Sequence, residues 1–193
     1  MRHALSVIPV PDGPDNYHRP LAAEGMRQAD RLVDDLIRFA PAKIVSSPYL
    51  RAVQTVEPLS RALGSPVKPM PALREWDSGL PRTPQWERYY GDSWDDPTHV
   101  YGDGESLAQL TSRSTSAVTE LAREHPTTAV IVGSHGMFIS RALLGLGAPG
   151  VSWQFSCAMP MPAIYRLDFF ESKLRVRGPG LESVWTAHRW DYP

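Results

Sequence analysis

The sequence predicts an α/β fold: a three-layer α/β/α sandwich around a mostly parallel sheet. Three observations lead there. "KIVSS" (43–47) and "TAVIVGSHG" (128–136) are short, nearly all-apolar, β-branched runs, as for strands buried on both faces. Segments with apolar residues at helical spacing lie between them. The chain then closes in three short runs separated by turn residues, giving helix–strand–helix alternation with a hairpin-like end.

In chain order, "VPDGPDNYHRP" (10–20) is rich in turn formers and cannot be a helix interior. From Glu24, Met26, Ala29, Val33, Leu36 and Ile37 recur as on one helix face. "KIVSS" reads as a buried strand. Pro48 suits the first turn of the next helix, Ala52, Val56, Leu59 and Leu63 line it, and Gly64 can stop it. Residues 65–104 are irregular and carry Trp76, Trp86, Tyr89, Tyr90 and Trp94, with room for a short helix around 84–94. So long an irregular stretch inside a compact domain marks a functional segment, and 76–104 is the expected lid or specificity insertion of a single domain, 1–193. The aromatic residues there also suit a small core under a loop. A helix runs from Ser106 to about Glu124, marked by Leu107, Leu110, Val118 and Leu121. After the 128–136 strand, Phe138, Ile139, Ala142, Leu143 and Leu146 give another helix. "AIYRLDFF" (163–170), "KLRVRG" (173–178) and "SVWTAH" (183–188) are the closing strands, with turns at "ESK" and "GPG".

Composition sets limits. Of 193 residues, 42% are apolar and 21% charged, ordinary for a globular chain. A formal net charge of −1 gives no sequence-wide attraction to nucleic acid or to an anionic membrane. No apolar run approaches the ~18–20 residues of a membrane span, and no signal-peptide pattern opens the chain. The single cysteine, Cys157, excludes an internal disulfide and reads as an inert core thiol, which fits a reducing, cytoplasmic setting. Prolines, 19 in all, are about twice the usual share and mark loops. The histidines show no metal-ligand spacing, so neither metal nor other cofactor is expected.

Three places run from a strand into a short polar stretch and then a helix: Arg2-His3, Ser46-Ser47-Pro48-Tyr49-Leu50-Arg51, and Ser134-His135-Gly136. Neighbouring parallel strands would bring these tips into one pocket, because ligands bind at strand carboxyl ends in such sheets. That pocket holds two histidines and two arginines beside a helix N-terminus. Arginine forks match phosphate oxygens, and the helix end adds N–H donors and partial positive charge. Each residue has a plainer reading: a frayed terminus for Arg2-His3, a solvated charge for Arg51, a core imidazole for His135.

Taken in order, the motifs resemble the histidine phosphatase (phosphoglycerate mutase-like) superfamily. Arg2-His3-Ala4, "RPLAAEGMRQA" (19–29), "SSPYLRAVQTVE" (46–57), "LREWDSG" (73–79), "GES" (104–106) and "SHG" (134–136) match its pattern across essentially the whole chain. The resemblance implies a phosphoglycerate mutase-like fold and these roles. His3 is the nucleophile that carries a phosphohistidine. Arg2, Arg51 and His135 bind the phosphoryl oxygens. Glu75 is the general acid and then base, with Asp77, two residues on, as the other candidate. Ser6, three residues after the nucleophile, touches phosphate.

The chain departs from this pattern in three ways. Most relatives carry several apolar residues before Arg-His, and only Met1 stands there. Four or five buried apolar residues contribute ~1.5–3 kcal/mol each, comparable in sum with a domain's ~5–15 kcal/mol net stability. The expectation is therefore a native start upstream of Met1; under the alternative, a true truncation, His3 is loosely held. Pro9 stands where mutases of the family tend to have a substrate-binding Asn, and Ala4 replaces Gly.

The expected function is a metal-independent phosphomonoesterase. Its substrate is a small phosphorylated metabolite or a phosphorylated protein, with no nucleic acid or membrane partner; a homodimer is compatible. Mutase-type phosphoryl transfer and a catalytically inactive phospho-ligand binder are the alternatives. Asp92, Asp95, Asp96, Asp103 and Glu105 make the lid acidic, which disfavours a multiply charged sugar acid.

Overall fold

The β-branched runs do form strands, and the computed structural model places them in two three-stranded sheets. It describes residues 1–10, 15–81, 83–171 and 173–187. The first sheet is parallel, in the order β2 (Val67–Pro69), β1 (Lys43–Ser46), β3 (Val130–Gly133). The second is antiparallel, β4 (Arg166–Phe170), β5 (Lys173–Gly178), β6 (Leu181–Ala187). The parallel character is thus confined to half of the strands. Of the closing run "SVWTAH", His188 lies outside the described residues, as does 11–14 of the turn-rich segment.

Side chains alternate along β1 and β3, so each face of the parallel sheet gathers its own core. On one face Ile44 and Ile131 meet Leu36, Val56 and Leu59. On the other Val45 belongs to the core that holds Leu107, Leu110, Phe138 and Leu143. The first face is covered by α2 (Val33–Ile37) and α3 (Leu50–Leu63), with α1 (Ala23–Arg31) packed on α3. The second is covered by α5 (Leu107–Glu124) and α6 (Gly136–Gly145). This is the three-layer arrangement.

Local chemistry accounts for most element ends. Gly64 stops α3 at φ +61°, a left-handed C-cap. Ser106 starts α5 in a capping box with Gln109. Pro48 does not open α3: Tyr49 is the N-cap, and the helix begins at Leu50. The helix expected from Glu24 is divided at Leu32 into α1 and α2, which leaves Met26 and Ile37 exposed. Within residues 76–104, α4 (Trp86–Asp95) supplies the short helix anticipated near 84–94. Alternation did not reveal β2 or α7 (Trp153–Ala158), because three and six residues are too short to show a period. Cys157 sits exposed on α7, not in the core.

Residues 1–3 continue the parallel ladder beside β3. Arg2 bridges Ser134 in parallel and Ala163 in antiparallel sense. The Arg2 N–H donates to the Ala163 carbonyl at 2.8 Å, and the His3 N–H to the Ser134 carbonyl at 2.9 Å. His3 is therefore held by sheet-type bonds, not loosely.

Candidate active site

His3, Arg51 and His135 come together at the carboxyl end of the parallel sheet, as the three-tip reading requires. His3 is 6% exposed, Arg51 2% and His135 0%. The two imidazoles lie edge to face, with centroids 5.2 Å apart. His3 Nδ1 lies 2.8 Å from the Ala4 carbonyl, which can only accept, so the ring proton sits on Nδ1. Arg51 Nε donates to His3 Nε2 at 3.2 Å. The lone pair of Nε2 thus points toward a guanidinium. Burial, reinforced by the Arg51 charge, pulls His3 down to about 3, and it holds His135 well below the ordinary imidazole range. Both rings are neutral near pH 7.

The backbone around His3 is pinned from α1 and α3. Thr55 Oγ1 accepts from the Ala4 N–H at 3.0 Å and donates to the Arg51 carbonyl at 2.7 Å, tying the backbone next to His3 and that of Arg51 to one hydroxyl. Gln28 Oε1 accepts from the Leu5 N–H. At Gly25 of α1 a Cβ would lie 1.9 Å from the Leu5 carbonyl oxygen, so only glycine lets the helix approach this closely.

The cations have different supports. Arg51 NH1 donates to the Asn16 carbonyl at 2.6 Å, and its guanidinium lies over the Tyr49 ring at 5.0 Å. Burial, then the charge of Arg19, lowers Arg51 to about 10, so it stays charged at neutral pH. Arg2 donates to the Met159 carbonyl and lies against Gly136, where a Cβ would be 3.2 Å from its Nε. That Nε is buried with no hydrogen-bond partner among the described residues. Ser6 Oγ accepts from Arg19 NH1 at 2.6 Å, so Ser6 reaches the pocket through that guanidinium. Arg19, an ordinary member of the "RPLAAEGMRQA" stretch in sequence, places its charge on His3, His135 and Arg51.

His135 is the N-cap residue of α6. Its Nε2 lies 2.7 Å from Ser47 Oγ, and its Nδ1 is buried with no hydrogen-bond partner among the described residues. The Tyr49 N–H donates to Ser47 Oγ at 3.3 Å, which frees the hydroxyl proton for His135 Nε2. In sequence, Ser47 is one small polar residue of "SSPYL", and nothing local marks it as the partner of His135.

Glu75 and Asp77 part company. The Glu75 carboxylate accepts N–H bonds from Trp76 at 3.0 Å, Phe138 at 3.1 Å and Met137 at 3.4 Å, so it sits on the first turn of α6, next to His135. Asp77 is exposed, and its carbonyl accepts from the Glu105 N–H at 2.7 Å. Beyond burial, the charges of Asp77 and then of Glu75 raise Tyr49. Glu105 leaves the expected acidic field of the lid, because it is ion-paired with Arg113 at 2.7 Å. The aromatics of 76–104 pack as a ladder, as for a small core under a loop: Tyr90 on Trp76 at 4.7 Å and on Trp86 at 5.4 Å, with Trp153 of α7 closing it.

Known proteins resemble this chain over most of its length. The chain is 27% identical over 168 residues to the Bacillus subtilis protein named "Uncharacterized phosphatase PhoE", covering 85% of this chain and 83% of that one. It is 25% identical over 187 residues to "Probable phosphoglycerate mutase GpmB" of Proteus mirabilis, covering 89% and 78%. The solved structure of Bacillus stearothermophilus YhfR shares the fold, with a TM-score of 0.73 at 20% identity over 94% of this chain and 95% of that one. The family model of the histidine phosphatase superfamily (branch 1) matches residues 15–180, a span that begins after Arg2-His3. With that match over most of its length, the chain belongs to the histidine phosphatase superfamily.

Proposed function

We propose that this protein is a metal-independent phosphomonoesterase that hydrolyses a phosphate ester through a phosphohistidine on His3. The observation that carries the reading is the pair of neutral, buried imidazoles 5.2 Å apart, with Arg51 aimed at His3 Nε2. The Ala4 carbonyl fixes the Nδ1–H tautomer and leaves Nε2 as the nucleophilic atom. Arg51, which donates to Nε2 in the free protein, transfers that donor to a phosphoryl oxygen when substrate enters. Arg2 and His135 Nδ1 supply further donors, and their buried, unpartnered nitrogens are suited to that task.

In the first step Nε2 attacks phosphorus, the ester oxygen leaves, and Glu75 delivers the proton it needs. In the second, Glu75 takes a proton from water as that water displaces His3 and releases inorganic phosphate. Glu75 is the better candidate because three backbone N–H groups position it beside His135, whereas Asp77 lies out in solvent.

The substrate is a small phosphorylated metabolite or a phosphorylated side chain, and the setting is cytoplasmic. Among the described residues no helix is long and apolar enough to cross a membrane.

The test is turnover of p-nitrophenyl phosphate in EDTA, with acid-quench trapping of protein-bound phosphate. Turnover and an acid-labile phosphoryl adduct, both lost in His3→Ala, support the reading. Tight phosphate binding without turnover supports a binding protein instead, and interconversion of 2- and 3-phosphoglycerate supports a mutase.

A further inference from the structure

Two stretches of the sequence, "LREWDSG" (73–79) and "GES" (104–106), lie against each other in the fold, and their contact surrounds Glu75. Glu75 itself belongs to no helix or strand: the turn at Pro71–Leu73 ends before it, and α4 begins only at Trp86. Such backbone has no ladder of its own to hold it. A group that hands over a proton must nevertheless be placed to within about 0.5 Å.

The support comes from a single guanidinium. Arg113 projects from α5, and its side chain is 15% exposed. A guanidinium carries its N–H donors in one plane, and here each nitrogen has an acceptor. Nε and NH2 form a fork on the Glu105 carboxylate at 2.8 and 2.7 Å. NH1 donates to the Ala72 carbonyl at 2.7 Å and to the Arg74 carbonyl at 3.0 Å. NH2 adds a long bond to the Glu75 carbonyl at 3.5 Å. One cation thus gathers the carbonyls of the stretch that ends at Glu75.

Glu105 holds the other side. Its N–H donates to the Asp77 carbonyl at 2.7 Å, and its carbonyl accepts from Trp76 Nε1 at 2.6 Å. Gly104 lets the two stretches approach, because a Cβ there would lie 2.4 Å from the Ser78 carbonyl carbon. Ser106 caps α5 and so fixes the start of the helix that carries Arg113. Each letter of "GES" has a task in steadying the chain around Glu75.

The clamp also touches a donor to the carboxylate. The Arg113 guanidinium lies 5.9 Å over the Phe138 ring, and the Phe138 N–H donates to Glu75. A buried ion pair is by itself weak evidence of a stabilising role. What distinguishes this one is that its remaining N–H groups all go to the stretch ending at Glu75.

We propose that the Arg113–Glu105 pair is the positioning device for the Glu75 carboxylate, with Arg113 a positioning residue that acts on proton delivery only through Glu75. The kinetic consequence rests on the phosphatase reading; the structural one does not.

Arg113→Lys keeps a charge opposite Glu105 but cannot span that carboxylate and the carbonyls together. It is expected to lower kcat on alkyl phosphates about 30-fold, and on p-nitrophenyl phosphate by less than about threefold. In a Glu75→Gln background the same change is expected to cost nothing further on alkyl phosphates. Arg113→Met combined with Glu105→Gln, which leaves no buried charge unmatched, is expected to give the same leaving-group pattern. Equal losses on both substrates, or an undiminished loss in the Glu75→Gln background, would overturn the positioning role. Amide hydrogen exchange reads the structural half without any substrate. The Met137 and Phe138 N–H groups, which donate to Glu75, are expected to exchange about tenfold faster in Arg113→Lys, while the Ile139 N–H, which donates to the His135 carbonyl, keeps its rate. Unchanged exchange at all three, or equal acceleration at all three, would overturn the clamp. A wild-type protein with neither turnover nor a phosphoryl adduct would overturn the phosphatase reading instead, and exchange would still decide the clamp.

Discussion

The two histidines of the site are the same residue type, buried to nearly the same degree, yet they are wired in opposite ways. His3 has its Nδ1 engaged by the Ala4 carbonyl and its Nε2 turned toward Arg51. His135 has its Nε2 engaged by Ser47 and its Nδ1 without a hydrogen-bond partner among the described residues. A backbone acceptor fixes one ring as a lone-pair donor. A hydroxyl that can give its proton fixes the other as an N–H donor. Under the proposed mechanism, the nearest neighbours, more than the residue type, separate attack on phosphorus from stabilisation of its oxygens.

The largest test of this contrast is deletion of each ring. His3→Ala is expected to lose about 10⁴-fold or more in kcat for p-nitrophenyl phosphate, because no covalent route remains. His135→Ala is expected to lose about 10²–10³-fold, as for one oxyanion donor. Equal losses would erase the distinction. Arg51→Ala should lie between them, at about 10³-fold, with Arg51→Lys recovering only part because a lysine lacks the planar fork.

Glu75→Gln sharpens the picture on the leaving-group side. It should cost about 10²-fold or more on alkyl phosphates and much less on p-nitrophenyl phosphate, whose phenolate leaves without a proton. If Asp77→Asn shows that pattern and Glu75→Gln does not, the acid is Asp77. Ser47→Ala is a milder change, with kcat reduced about tenfold and KM little altered, because His135 remains but its tautomer is no longer fixed.

The smallest effect on activity, though not on stability, concerns pH. Both imidazoles are depressed, His3 to about 3, so between the unfolded value near 6.5 and that folded value the unfolded chain binds more protons. Their contribution to stability is complete above pH 6.5 and is lost as pH falls toward 3. Replacing His3 with Gln should flatten the fall of Tm between pH 6.5 and 4, and an unchanged slope would show that other groups govern it.

Much of this was legible in the sequence where a residue pattern has one physical solution. The apolar spacing of Leu107, Leu110, Val118 and Leu121 leaves little choice but a helix, and α5 runs from Leu107 to Glu124. The three polar tips converge because strand–turn–helix units in a parallel sheet present their carboxyl ends together. What sequence could not show was pairing over distance. Thr55 reads as a small residue inside a helix, yet its hydroxyl links Ala4 to Arg51. Arg19 and Ser6 are ordinary surface types until the fold joins them at 2.6 Å. Cys157 read as core because cysteines are often buried, but α7 is only six residues long and turns it outward.

Glu75 accepts from the first N–H groups of the helix that His135 caps, so this carboxylate and the second imidazole ride on one body. A sideways drift of that helix would carry both together and preserve their spacing relative to each other. The spacing between the Glu75 carboxylate and the His135 ring would therefore survive a rearrangement of the aromatic ladder built by Trp76, Tyr90 and Trp153.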